Sequence, residues 1–98
     1  MCIQVAVRFE WDETKNRANV VKHGISFETA KLVFDDPHVV SFPKRNVEGE
    51  EHWQSLGSAD SIVILTVAQT VQDSDGNEVV RIISARKASP SERKRYAN

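Results

Sequence analysis

Residues 61–71, SIVILTVAQTV, are the most apolar run in the chain, and most of them are β-branched. Eleven residues are too few to span a bilayer, and their composition favours an extended backbone. A run of this kind reads as the central strand of a sheet, buried on both faces. Asp75-Gly76 follows within QDSDGNE, and that dipeptide is a strong hairpin signal. VVRIISAR, residues 79–86, is then the returning strand. The remaining residues must extend this hairpin sideways and cover it.

They carry signals for doing so. VAVRFEW places Val5, Val7, Phe9 and Trp11 on one face of a strand. Asp12 suits the N-cap of a helix that runs to about Lys22, and Gly24 suits the left-handed position after it. Ser26 caps a second helix, with Phe27, Ala30, Val33 and Phe34 on one face, and Asp35-Asp36-Pro37 ends it. HVVSF and EHWQSLG read as strands on either side of a polar connection, KRNVEGE, with Gly49 as its turn. Ser89, Pro90 and Glu92 form a capping box that opens a short basic helix. The predicted order is β-α-α-β-β-β-β-α. This is one α+β domain over residues 1–98, with two N-terminal helices on an antiparallel meander and a short C-terminal helix.

Ninety-eight residues bury one modest core, so an open groove is easier to build than a deep pocket. Cys2 is the only cysteine, which excludes an internal disulfide and a cysteine-based zinc site. His23, His38 and His52 lie far apart, and no metal or organic cofactor is expected. The first residues lack the basic and long apolar regions of a secretory signal, so the expected address is the cytoplasm, with no membrane contact. Charge is unevenly placed. Residues 1–80 hold 7 basic and 13 acidic side chains, whereas residues 81–98 hold 6 basic and 1 acidic. A basic end on an acidic body suits a polyanion or an acidic partner, although a solvated basic helix would also account for it.

Three stretches, in this order and spacing, resemble the BrnT toxins of bacterial type II toxin–antitoxin systems. They are FEWDETKNRANVVKHGISFETAKLVFDDP, the EGEEHW before a strand, and VRIISARKASPSERKRY. The resemblance implies a RelE-like fold and an endoribonuclease that arrests translation. It also implies neutralisation by a BrnA-like antitoxin with a ribbon-helix-helix part. Toxin and antitoxin would form a heterotetramer, a dimer of heterodimers, that meets operator DNA only through the antitoxin. Two departures stand out. Residues 1–7 extend beyond the usual start, and the family commonly has Arg where this chain has His52.

Cleaving RNA without a metal requires proton removal from the 2′-hydroxyl, protonation of the leaving 5′-oxygen and stabilisation of phosphorane charge. RelE-like toxins lean on arginine and lysine for this, and the arginine fork matches two phosphate oxygens. Arg81, Ser84, Arg86 and His52 are the candidate catalytic residues. Lys87, Arg93, Lys94 and Arg95 are candidate contacts to the RNA backbone. Strict alternation puts Ser84 and Arg86 on one face with Val80 and Ile82. Arg81 then falls on the other, with Ile83, Ala85 and Lys87, unless a bulge intervenes. Bland readings accompany each candidate: arginines paired with acids of the body, a half-exposed sheet histidine, Glu92 as a cap only. His23 reads as a helix-terminal cation, His38 as a strand-edge residue, and Trp11 and Trp53 as core aromatics. Two further readings remain open: a degenerate toxin that serves only in complex formation and operon autoregulation, and a free-standing RNA-binding module.

Overall fold

A computed structural model of the chain describes residues 7–47, 50–60, 63–74 and 77–97. Strand β1 (Val7–Glu10) leads into helix α1 (Glu13–His23) and helix α2 (Phe27–Lys31), which tightens into a 3-10 turn at Leu32–Asp35. Strands β2 (Val40–Val47), β3 (Glu50–Ala59), β4 (Val63–Ser74) and β5 (Asn77–Lys87) follow, and helix α3 (Pro90–Ala97) closes the described chain. The α+β class and the element order are those expected.

The sheet order is β1-β5-β4-β3-β2. Strands β2 to β5 form the antiparallel meander, but β1 joins β5 in parallel, so the sheet is mixed. Strand β4 lies at its centre and is buried on both sides: Leu65 and Val67 face one way, Thr66 and Thr70 the other. The polar connection expected after HVVSF is mostly strand, because β2 runs on to Val47. Strand β2 is an edge, where Pro43 loses no ladder bond, and a bulge between Pro43 and Arg45 absorbs the irregularity. The expected turns at Gly49 and Asp75-Gly76 lie outside the described residues, as does Val5.

Local signals fix the helix ends. Asp12 accepts hydrogen bonds from the amides of Thr14 and Lys15 at 2.8 and 3.2 Å. Gly24 takes φ 73° and its amide closes α1 onto Val20. Ser26 accepts from the Thr29 amide at 3.1 Å. Ile25, Phe27, Ala30 and Val33 then bury themselves against Leu65, Val67, Ile82 and Ala85 on one face of the sheet. Gly57 permits that approach, since a Cβ there would lie 2.6 Å from Val33 Cγ1.

Two buried asparagines complete the joint. Asn16 accepts from the Phe27 amide at 2.8 Å, tying α1 to α2. Asn19 donates to the carbonyls of Ile25 and Ala85, both at 2.8 Å, and accepts from the Ala85 amide at 3.2 Å. Strand β1 pairs with β5 only as far as Arg81, so Ala85 lies on a stretch of edge that β1 does not reach. Its backbone groups are satisfied by Asn19 instead. On the opposite face, α3 packs against β3, with Arg95 over the Phe42 ring at 4.2 Å.

Candidate functional site

Strand β5 does not alternate through its length. Ser84 stands opposite Ala68, but Ile82 stands opposite the next residue, Gln69, which leaves Ile83 as an extra residue in a β-bulge. The bulge shifts the phase of the strand by one. Val80 and Ile82 turn toward the helix layer with Ala85, and Ile82 is 1% exposed in the core. Arg81 therefore shares the open face with Ser84 and Arg86. Strict alternation was wrong about Val80, Ile82 and Arg81, because it counted Ile83 as a regular position.

Cross-strand rows define this open face. Glu10, Arg81, Thr70 and His52 form one row, and Ser84, Ala68, Gln54 and Phe42 the next. Arg86, Thr66 and Leu56 form the third. A shallow cavity of about 450 Å³ opens over these rows. Lys44, His52, Gln54, Thr66, Ser84 and Arg86 line it. Three of the four candidate catalytic residues thus surround one space. Arg81 does not line it: it lies two rows from Arg86, ~13 Å along the strand, and pairs with Glu10 at 3.4 Å. Lys44, Gln54 and Thr66 went unnoticed in the sequence. For Lys44 the reason is plain, since it is the bulged residue of β2 within what reads as a polar loop.

Glu92 organises the floor beside the cavity. Its carboxylate accepts from Arg86 Nη1 and Nη2 at 2.7 and 3.0 Å. It also accepts from Gln54 Nε2 at 2.9 Å, Thr66 Oγ1 at 2.9 Å and the Ser89 amide at 2.8 Å. The last of these, with the Glu92 amide donating to Ser89 Oγ at 3.3 Å, is the expected capping box. The Arg86 guanidinium holds the Glu92 carboxyl at about 2, outweighing the upward pull of its partial burial; the Ser89 amide and Thr66 hydroxyl add to the lowering. The same hydrogen bond raises the Arg86 pKa. Glu92 takes the Nη1–Nη2 edge of Arg86. The Nε–H and the outer Nη2–H remain without a partner among the described residues, and together they form a second two-pronged edge.

The basic residues divide. Arg93 and Lys94 are exposed on α3, and Arg95 rests on Phe42 at the margin of the open face. Lys87 pairs with Leu65, so it points to the helix side and stands apart from Arg86. Tyr96 donates to Asp36, anchoring α3. Burial pulls the Asp36 pKa upward, but the Tyr96 hydroxyl and the Ser58 and His38 amides outweigh it and leave it lowered. His23 ends α1, and His38 lies exposed in the turn before β2. Trp11 packs edge-on against Phe27, as a core aromatic does, and Trp53 is half-buried beside the helix layer. No group of three His, Cys, Asp or Glu side chains gathers as a metal site among the described residues. No helix among them is long and apolar enough to cross a membrane.

The crystal structure of the Brucella abortus ribonuclease toxin, BrnT, superposes with a TM-score of 0.62. It covers 87% of this chain and 99% of the Brucella chain at 22% identity, a likeness that speaks for the fold. No curated protein matches the sequence. The family model described as "Ribonuclease toxin, BrnT, of type II toxin-antitoxin system" matches residues 11–92, which include α1, the whole meander and the Arg86–Glu92 pair. The chain belongs to the BrnT family of ribonuclease toxins of type II toxin–antitoxin systems.

Proposed function

We propose that this protein is an endoribonuclease that cleaves RNA on the open face of its sheet without needing a metal, and so inhibits translation in the cytoplasm. In this reading the 2′-oxygen attacks the adjacent phosphorus and the P–O5′ bond breaks. The products are a 2′,3′-cyclic phosphate and a free 5′-hydroxyl. Arg86 binds two phosphate oxygens through its free edge and stabilises the charge that builds on them. His52 takes the 2′-hydroxyl proton or supplies one to the 5′-oxygen. Ser84 hydrogen-bonds the phosphate, and Lys44 adds a second cation. Arg81, Arg93, Lys94 and Arg95 hold flanking RNA backbone.

The observation that carries the reading is the convergence of His52, Ser84, Arg86 and Lys44 on one shallow cavity. A RelE-like architecture, a BrnA-like ribbon-helix-helix antitoxin and a heterotetramer that reaches operator DNA through that antitoxin complete the proposal. What supports them is membership of the family. One observation favours a non-catalytic toxin that acts only in the antitoxin complex: both arginines are already paired, Arg86 with Glu92 and Arg81 with Glu10. Incubating the antitoxin-free protein with RNA in EDTA decides between them. Cleavage is expected, and Arg86→Gln should slow it by about 10²–10³-fold, as for loss of one donor to a developing oxyanion. Salt-sensitive RNA binding without cleavage would identify a binding module, and neither binding nor cleavage would leave the complex-only role.

A further inference from the structure

On the helix side of the sheet, a second depression of about 500 Å³ opens past the 3-10 turn. Its walls are apolar and partly exposed: Val7, Phe9, Phe34, Trp53 and Val71. Gln69 lines it and is only 3% exposed. Its Nε2 donates to Ser55 Oγ at 2.6 Å, while its Oε1 has no partner among the described residues. Exchanging the two ends of the amide would move the deficit to nitrogen without removing it. Buried polar atoms of this kind are rare. Asp35, Glu51 and Glu78 also line the depression, and among the described residues no Lys, Arg or His does. Lys31 lies close by, over the Phe9 ring at 5.3 Å.

We propose that this depression seats a peptide segment of a partner protein, one with an aromatic or aliphatic anchor set between lysines or arginines. The apolar walls take the anchor, the three carboxylates select the cations, and Gln69 offers a polar group for the segment's backbone. RNA is the wrong occupant, because its phosphates would meet acids. The antitoxin of the pair is the carrier of such a segment, and only that identification rests on the toxin reading above. The depression lies on the opposite face from the candidate cleavage cavity. A segment seated here therefore holds the protein without covering Arg86.

The test titrates the full-length, ¹⁵N-labelled chain with acetyl-Lys-Leu-Phe-Lys-Lys-Leu-Leu-Lys-amide, and with the same peptide carrying Glu for Lys. The basic peptide should give saturable shifts at the Gln69 side-chain amide and the Trp53 indole, sparing the Trp11 indole. The acidic peptide should give none. Glu51→Lys with Glu78→Lys should weaken the basic peptide by about tenfold or more; in the free variant the Trp53 indole, which donates to Glu51 at 3.2 Å, shifts while the Trp11 indole keeps its position. Absent or unsaturable shifts, equal binding of both peptides, or indifference to the double charge reversal would overturn the proposal. Binding only after deletion of residues 1–6 would also overturn it, by assigning the depression to the chain's own N-terminal segment. RNA cleavage by the same double variant separates the two readings. Cleavage retained with peptide lost is expected, and peptide bound by a chain that never cleaves RNA refutes the ribonuclease reading alone.

Discussion

Glu92→Gln removes one charge from the centre of the open face while keeping the size of the side chain. The wild-type carboxyl lies at about 2 in the folded protein against 4.5 as its ordinary value. At 1.36 kcal/mol for each pKa unit, full expression of that difference would contribute about 3.4 kcal/mol. Arg86 is 44% exposed and Glu92 16%, so solvent screens part of it, and about 2 kcal/mol is the expected cost at pH 7. The depressed pKa also fixes the sign of the pH dependence. This stabilisation is fully present above pH 4.5 and is lost as pH falls toward 2. Urea unfolding of both proteins should therefore give a gap of about 2 kcal/mol at pH 7 that largely closes near pH 2. The other carboxylates titrate in both proteins and cancel in the difference. A gap that stays constant between pH 7 and pH 2, or one below about 0.5 kcal/mol at pH 7, would refute the charge argument and leave Glu92 as a helix cap.

Asn19→Leu strands the Ala85 amide and the Ala85 and Ile25 carbonyls in a buried joint, at about 1–3 kcal/mol for each group left unpaired. Thermal unfolding should fall by more than about 10 °C, and a smaller shift would mean that water replaces the side chain. Gly57→Ala forces a Cβ onto Val33 and should cost about 1–3 kcal/mol. Deleting Ile83 removes the extra residue without changing which residues pair across β4 and β5. The circular dichroism spectrum should persist at a cost below about 2 kcal/mol, and an unfolded deletion variant would show that the bulge does more than restore phase.

What was legible in the sequence was local. Asp12, Gly24, Ser26 and the Ser89/Glu92 box act within three or four residues of themselves, so their chemistry is written where they stand. The central strand was legible too, because burial on both faces favours a mostly apolar, β-branched run. The parallel pairing of β1 with β5 joins residues about seventy positions apart, and nothing in VRFE specifies that neighbour. The candidate site suffered most from the bulge. Val80-Arg81-Ile82-Ile83-Ser84 has no glycine or proline to mark an extra residue, so period-two counting sent Arg81 to the wrong face. Glu92 was recognised as a cap, while its bonds to Gln54, Thr66 and Arg86 depend on where α3 folds back.

The Asn19 side chain ends in a carboxamide, the same group that links residues along the backbone. By offering N–H to Ala85 C=O and taking N–H from Ala85, it presents β5 with what a neighbouring strand would present. It thereby supplies a single rung of a sixth strand. Bare sheet edges recruit strands from other molecules, and this rung blocks that recruitment where β1 stops short. The helix that lays Asn19 there doubles as the selvedge of the sheet, so loss of this one amide should first show as concentration-dependent association.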